Sequence, residues 1–193
     1  MRNRCCCSIA LAVIAGMLVV LAARAVAAAP LYDTPVYNPD TKSYFELVLI
    51  RTTKYSYRNS PDVNWPQAFE LAKSRSYKGA QGRLAVVRDL ATHEFLMRTF
   101  KTETPTWIGL RWWCADHKLQ FVDGKMWSRG TFQAWDAKWD HSGVQRCEEY
   151  QSYKKPEFMP VAYSPVQEGF RWFAQGWHKA YYAYFVEYPT GHP

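Results

Sequence analysis

The sequence lacks the short motifs that identify the common enzyme and nucleotide-binding classes. No P-loop, dinucleotide fingerprint, H-E-x-x-H sequence or nucleophile elbow occurs in its 193 residues. It has no internal repeat, no heptad pattern and no low-complexity segment. Lysine and arginine are scattered rather than clustered, so no nucleic-acid partner is predicted. No motif of the sequence therefore supports an enzyme or a nucleotide-binding protein.

The first residues have the pattern of a secretory signal peptide. Arg2 and Arg4 are basic, Ile9 to Leu21 is almost continuously apolar, and Ala25-Val26-Ala27 is an A-x-A cleavage signal. The apolar run is short for a bilayer span, which favours a cleaved signal peptide. An uncleaved membrane anchor is the alternative. We expect residues 1–27 to be removed and the protein to be secreted, periplasmic or at the cell surface. A membrane partner is expected only if this segment stays.

Composition predicts one self-sufficient domain after cleavage. Loss of the leader removes three arginines and leaves 21 basic and 17 acidic residues, a formal charge of +4. A chain of about 165 residues buries roughly 70% of its unfolded surface, which is enough for a core without a metal or a partner. The domain should therefore need no metal or partner to fold. No cofactor and no metal site is predicted.

Cysteine is scarce in the predicted mature chain. Cys5, Cys6 and Cys7 precede the apolar run, whereas a lipoprotein cysteine would follow it. Export leaves Cys114 and Cys147, and an oxidising compartment favours a disulfide between them. Such a bridge, closing about 34 residues, would stabilise the fold by about 3 to 4 kcal/mol.

Two other states of these cysteines stay open. They could be two unpaired buried thiols. They could also join His117 and His141 in a zinc site, although the spacing matches no common structural-zinc pattern.

The first half of the chain predicts a strand and two helices. Residues 28–42 contain three prolines and predict an extended lead-in. Tyr44–Ile50 is β-branched and aromatic, which predicts a strand, and Lys54–Tyr57 could continue the sheet. A helix is predicted from Trp65-Pro66, because proline suits the first helical position. Its buried face would hold Trp65, Ala68, Phe69 and Ala72.

A short strand over Leu84–Val87 and a second helix should follow. Asp89 or Thr92 would cap that helix, and Trp107–Leu110 then predicts a strand. The helix would carry Phe95, Leu96 and Phe100.

The second half predicts short strands joined by long loops. With the helices this gives an α+β domain over residues 43–190. The predicted segments are Leu119–Val122, a turn at Asp123-Gly124, Arg146–Tyr150, Gly169–Ala174 and Tyr181–Tyr188.

The ordered set of motifs resembles that of C-type lectin-like domains. The first half contributes Trp65-x-x-Ala68-x-x-x-Ala72, Gly82-Arg83-Leu84-Ala85-Val86-Val87 and Glu94-Phe95. The second half contributes Trp107-Ile108-Gly109-Leu110, Phe121-Val122-Asp123-Gly124, Phe132-x-x-Trp135, Cys147-Glu148 and Tyr184-Phe185-Val186-Glu187. The resemblance implies two helices packed on antiparallel sheets, neighbouring first and last strands, and a long-loop binding region.

The cysteines of this sequence depart from the pattern of C-type lectin-like domains. One family bridge joins the first helix to the last strand, where this chain has Ala72 and Val186. We expect this apolar pair to keep the contact by burial. The partner of the family's second bridge is also absent, which leaves Cys147 to pair with Cys114.

The calcium motifs of sugar-binding members are absent too. Neither Glu-Pro-Asn nor Gln-Pro-Asp occurs, and the Trp-Asn-Asp position aligns with Trp177-His178-Lys179 or, alternatively, Trp172-Phe173-Ala174. Calcium takes six to eight oxygen ligands, so these replacements predict a calcium-independent domain. The alternative is an atypical calcium site; the candidate ligands are Asp136, Asp140, Glu148 and Glu149.

Tryptophans are the main functional signal. Seven of the nine lie in the loop-rich half, and indole faces stack on sugar rings and anchor protein interfaces. We predict that Trp139 and Trp177 stack on a sugar. Hydrogen bonds to its hydroxyls are predicted from Asp136, Asp140, Glu149 and His178.

Two other functions remain open. The same face could bind a protein, or serve a structural role, without recognising sugar. A hydrolase would use Asp136 and Glu149 as a carboxylate pair with His141 as proton shuttle. No catalytic motif supports the hydrolase, so no catalytic residue is predicted.

Overall fold

The computed structural model describes residues 31–50, 63–128, 130–139, 147 and 157–193. The helices are α1 (Trp65–Ser74) and α2 (Leu90–Phe100). The strands of the first half are β1 (Val36–Asn38), β2 (Ser43–Leu49), β3 (Val63–Asn64), β4 (Ser76–Tyr77), β5 (Ala80–Gln81) and β6 (Arg83–Leu84). Those of the second half are β7 (Thr106–Trp113), β8 (Lys118–Phe121), β9 (Phe158–Tyr163), β10 (Trp172–Ala174), β11 (Ala180–Tyr181) and β12 (Ala183–Tyr188).

The main sheet places the last strand at its centre. Its order is β1-β2-β12-β7-β9-β10, with β6 also paired to β12 and β8 to β7. Strand β12 runs antiparallel to β2, with Tyr184 opposite Val48 and Tyr188 opposite Tyr44, and parallel to β7. The predicted pairing of first and last strands is confirmed. The parallel pair makes this sheet mixed rather than purely antiparallel.

The two helices contribute to different buried clusters. Successive residues of a strand point to opposite faces, and in β12 Tyr184 and Val186 join one cluster while Phe185 joins the other. Trp65, Ala68 and Ala72 of α1 belong to the first cluster. Leu96 and Phe100 of α2 belong to the second.

Helix α1 begins where its sequence predicts. Asn64 caps it, accepting from the Gln67 amide while the Gln67 side chain accepts from the Asn64 amide, a capping box. Trp65, Ala68 and Ala72 are buried as predicted, whereas Phe69 is only half-buried and stacks on Trp65. Ala72 and Val186 are both fully buried in one cluster. The expected apolar contact between helix and last strand is thus consistent with the structure.

Helix α2 is capped by Asp89 rather than Thr92. The Asp89 carboxylate accepts from the Thr92 amide at 2.7 Å and from its hydroxyl at 3.0 Å. Leu96 and Phe100 are buried, and Phe95 is half-buried. The acceptor carboxylate satisfies backbone donors that the first turn leaves open.

Gly109 explains the close packing around the predicted Trp107–Leu110 strand. Its amide donates to Ala85 O at 2.8 Å, and an added Cβ would lie 2.6 Å from Leu84 O and 2.7 Å from a Val122 methyl. Of the strand predicted over Leu84–Val87, only Leu84 lies in a strand, β6. The three residues that follow it are buried but form no regular strand. The chain there follows β7 too closely for any side chain at position 109.

Strand β9 was not predicted, and Pro160 explains the failure. Proline cannot donate to a ladder and argues against a central strand, yet β9 lies between β7 and β10. Its pairing with β7 shifts register between Trp107 and Arg111, and Arg111 faces Pro160. The irregularity accommodates the missing donor, while Pro160 O accepts from the Gln175 amide.

Other predicted boundaries differ in detail. The lead-in contributes β1, the segment predicted from Gly169 is a strand only over β10, and the segment predicted from Tyr181 divides into β11 and β12. The predicted strand at Lys54–Tyr57 and residues 1–30 lie outside the described residues. So does the strand at Arg146–Tyr150 apart from Cys147.

Two further features bear on the predictions. Cys114, just after β7, forms a disulfide with Cys147 across a Cα–Cα distance of 5.8 Å. Within the described ranges, neither helix is long and apolar enough to cross a membrane.

Candidate functional site

The segment before the long loop is fixed to strand β10. The Trp172 amide donates to Ala134 O at 2.7 Å, and the Asp136 amide donates to Trp172 O at 2.9 Å. Trp135 forms an isolated parallel bridge with Trp172, and the two rings meet edge to face at 5.6 Å. This pairing positions the first of the predicted ligand residues, Asp136.

A cavity of about 370 Å³ opens beside that segment and is called here the Trp135 cavity. Its volume lies within the range of small-ligand pockets. The half-buried Trp135 supplies an aromatic wall, and Arg171 supplies a cation. The residues that line it are Gln133, Ala134, Trp135, Ala137 and Arg171.

Asp136 stands at the start of a turn next to this cavity. Its carboxylate accepts from the Lys138 amide at 2.9 Å, and its carbonyl accepts from the Trp139 amide at 2.8 Å. Asp136 is half-buried. One carboxylate oxygen is therefore committed to local structure, which fixes the orientation of the group.

Trp139 does not occupy the predicted position for sugar stacking. Its side chain is only 8% exposed, belongs to the core cluster of α2 and stacks on Trp135 at 6.2 Å. A ring that packs into the core has no open face for a pyranose, so the stacking role predicted for Trp139 is wrong. Its indole instead supports the wall of the Trp135 cavity.

Trp177 is the most exposed of the tryptophans. All nine lie in the described ranges; four are buried, four are half-buried and Trp177 is 42% exposed. It meets His178 edge to face at 6.2 Å, and the Lys179 amide donates to Gly176 O. We call residues 176–179 the Trp177 turn. Strand β11 follows it and pairs with β3, which anchors the turn next to the start of α1.

The structure divides the predicted site between the two ends of β10. Asp136 is bonded to Trp172, the first residue of that strand, whereas Trp177 and His178 follow its last residue, Ala174. A three-residue strand spans roughly 10 Å. The predicted residues Asp140 and Glu149 lie outside the described ranges, as does His141.

The structure also decides between the two alignments of the Trp-Asn-Asp position. That motif belongs in a strand after the long loop, and Trp172–Ala174 is such a strand, paired with β9. Trp177, His178 and Lys179 lie in a turn, so the first alignment is wrong. Phe173 and Ala174 then replace Asn-Asp and offer no side-chain oxygen to calcium.

Among the described residues, no group of three or more His, Cys, Asp or Glu side chains could hold a metal ion. Because Cys114 and Cys147 form a disulfide, their thiolates are not available to the zinc site considered from the sequence.

Arg171 and Gln133 were missed by the sequence analysis. A signal for Arg171 was present, because the alternation of Phe170, Arg171 and Trp172 places the cation on the face opposite two buried rings. No comparable pattern marks Gln133. Trp135 enters the sequence analysis only as part of the Phe132-x-x-Trp135 motif, and the structure places it in the wall of the cavity.

A buried histidine lies beneath this region. His93 Nδ1 shares a hydrogen bond of 2.9 Å with the Tyr163 hydroxyl, and its ring contacts Phe132 and Phe170. Burial lowers the pKa of His93, and the nearby positive charge of Arg171 lowers it further. The imidazole is therefore held in its neutral form.

The sequence has a partial match among known proteins. No family model matches the chain. Halomucin of Haloquadratum walsbyi is 28% identical over 156 residues, which cover 79% of this chain but 2% of halomucin. The chain thus spans a very small part of that protein's length.

Solved C-type lectin structures have the same architecture. CEL-I from Cucumaria echinata has a TM-score of 0.50 and 12% identity, covering 75% of this chain and 89% of CEL-I. The cow CD23 C-type carbohydrate-recognition domain, solved in the presence of a GlcNAc2Man3 oligosaccharide, has a TM-score of 0.52 and 13% identity over 83% of this chain and 96% of its own. The human scavenger receptor C-type lectin carbohydrate-recognition domain has a TM-score of 0.52 and 10% identity. The match covers 79% of this chain and 94% of that domain. The chain has a C-type lectin-like α+β fold.

Proposed function

We propose that this protein is an exported, non-catalytic binding module that recognises carbohydrate without calcium. The ligand surface extends along β10 from the Trp135 cavity to the Trp177 turn. Solved neighbours described as carbohydrate-recognition domains support the ligand class. The disulfide and the signal-peptide pattern support an oxidising location outside the cytoplasm.

The exposure of Trp177 carries the proposal. A folded chain that encloses or half-encloses eight tryptophans leaves this one 42% exposed on a turn. An indole face stacks on the apolar face of a pyranose, and its N–H can donate to a hydroxyl. Trp177 is therefore assigned the stacking role that burial denies to Trp139.

Polar groups near both ends of β10 complete the surface. His178 adjoins Trp177, and the Asp136 carboxylate lies beside the Trp135 cavity. A carboxylate accepts from sugar hydroxyls, and the ring nitrogens of an imidazole can hydrogen-bond to them as well. Asp140 and Glu149 remain proposed contacts, because the sequence places them in the adjoining long loop.

Phe173 and Ala174 support calcium independence. They occupy the strand position where sugar-binding relatives would supply calcium ligands, and neither side chain has an oxygen. Calcium takes six to eight oxygen ligands, so the loss of two should greatly weaken its binding. We therefore expect binding to persist in a chelator.

A glycan array tests the proposal with the oxidised, exported full chain. Retention on at least one immobilised glycan is expected, unchanged by EDTA and reduced about tenfold in Trp177→Ala. Leu90→Ala is the matched control, because Leu90 is 55% exposed at the start of α2 and should leave retention unchanged.

Other outcomes identify the alternatives. Retention lost in EDTA would overturn the calcium-independent mechanism. Capture of one protein partner with no glycan retained would favour a protein-interaction domain. Glycoside turnover that disappears in Asp136→Asn would establish a hydrolase instead.

A further inference from the structure

The Trp135 cavity contains a cation that no described carboxylate neutralises. The described ion pairs of arginine use Arg75, Arg83, Arg88 and Arg98. None of them involves Arg171, which is exposed and lines the cavity. Its guanidinium is available to a ligand.

Backbone hydrogen bonds hold both sides of this cavity in place. The Arg171 amide donates to the Ser164 hydroxyl at 2.9 Å, and the Ser164 amide donates to Arg171 O at 2.8 Å. On the other side, Ala134 and Asp136 are bonded to Trp172. A site whose walls are already ordered loses less entropy when it binds.

The guanidinium of Arg171 favours an anion in the cavity. Asp136 is the nearby described acid, and one of its oxygens already accepts from the Lys138 amide. Among the described residues, no carboxylate forms an ion pair with Arg171. A guanidinium presents paired N–H donors that match a carboxylate in a bidentate arrangement.

We propose that the Trp135 cavity is an acidic subsite that binds the carboxylate-bearing ring of a hexuronate saccharide. Arg171 receives the carboxylate, Gln133 bonds a ring hydroxyl, and Trp135 contacts the apolar side of the ring. This inference rests on the proposed carbohydrate-binding function. It adds the chemical class of the ligand and a residue that selects it.

Oligogalacturonate and its fully methyl-esterified form provide a matched pair of probes. They share one sugar backbone and differ in the charge of the carboxyl group. We expect the full-length oxidised protein to bind the acid about tenfold more tightly than the ester. In Arg171→Gln the two affinities should become equal, and Arg171→Lys should retain part of the preference.

Lys118→Gln is the control for general charge attraction, because it removes one exposed positive charge from β8. It should keep the full preference for the acid. Since Arg171 is exposed, Arg171→Gln should fold normally, which the thermal midpoint checks independently of binding.

The results separate this inference from the proposed function. Equal binding of acid and ester, both weakened in Trp177→Ala, would overturn the acidic subsite and leave carbohydrate recognition standing. The acidic subsite would also be overturned if Lys118→Gln lost the preference for the acid to the same extent as Arg171→Gln. If neither probe nor any arrayed glycan binds, both proposals are wrong.

Discussion

Arg75, immediately after helix α1, forms a two-pronged ion pair with Glu46 in the middle of strand β2. Arg75 Nη2 donates to Glu46 Oε1 at 2.6 Å, and Arg75 Nε donates to Oε2 at 3.2 Å. The Glu46 side chain is 4% exposed, and Tyr188 of the last strand also donates to it. This polar link joins helix α1 to strands β2 and β12, near the place where the C-type lectin-like pattern has a disulfide.

Breaking this pair should destabilise the fold. Arg75→Ala leaves a buried carboxylate without its counter-charge, and we expect the free energy of unfolding to fall by about 3 kcal/mol, measured by chemical denaturation. Lys73→Ala is the control in the same helix, because its pair with Glu70 is mostly exposed and should contribute less than about 0.5 kcal/mol. Similar losses in both variants would contradict the structural role of Arg75.

Gly109→Ala should be more harmful than an ordinary glycine substitution. Its new Cβ would meet a backbone carbonyl at 2.6 Å, so strand β7 must move, at a cost of about 3 kcal/mol. Gly79→Ala has open space but a positive φ of 78° and should cost only about 1 kcal/mol. Denaturation curves of both variants measure the difference, and equal costs would refute the steric explanation.

The disulfide should make a separate contribution to stability. The double variant Cys114→Ser, Cys147→Ser releases a loop with a sequence separation of 33 and should lose about 3 to 4 kcal/mol. A reducing agent should destabilise the wild type by a similar amount and leave the double variant unaffected. Alkylation of two thiols in the unreduced, denatured protein would show that the bridge does not form.

His93 should make stability depend on pH. Because burial lowers its folded-state pKa below the ordinary value of 6.5, the unfolded state binds the proton more readily. The associated stability is fully present above pH 6.5 and is lost as pH falls from there through the folded-state pKa. We expect unfolding free energy to decline from pH 7.5 to 5.5.

His93→Gln is the matched variant for that experiment. Glutamine can still bond the Tyr163 hydroxyl but does not titrate, so the decline should become shallower. Arg171 and Glu94 are the charged groups that influence His93, and Arg171→Gln should raise the folded-state pKa of His93 and so make the loss of stability smaller. An unchanged slope in His93→Gln would assign the pH dependence to other groups.

Local signals predicted much of the fold. Pro66 with the apolar spacing of α1, the Asp89 cap of α2 and the aromatic strands β2, β7 and β12 act over a few neighbouring residues. Such patterns can be read directly from one sequence. The resemblance to C-type lectin-like domains added the pairing of β2 with β12, which no local pattern encodes.

The features that the sequence did not predict depend on contacts between residues far apart in the chain. Strand β9 exists despite Pro160 because a register shift in β7 accommodates it, and that shift cannot be read from residues 158–163. Trp139 and Trp177 have the same side chain, but only tertiary packing determines that one is 8% and the other 42% exposed. The Trp135 cavity likewise joins Gln133 to Arg171 across a long stretch of sequence.

The central place of β12 has a consequence for how the protein reaches its native state. Residues 183–188 are synthesised after the other described strands of the sheet, yet β2 and β7 are neighbours of this segment rather than of each other. Until it emerges, both strands present open hydrogen-bonding edges, which are prone to pair with other chains. A chain truncated before Ala183 therefore lacks the strand that joins β2 to β7, and the main sheet cannot close.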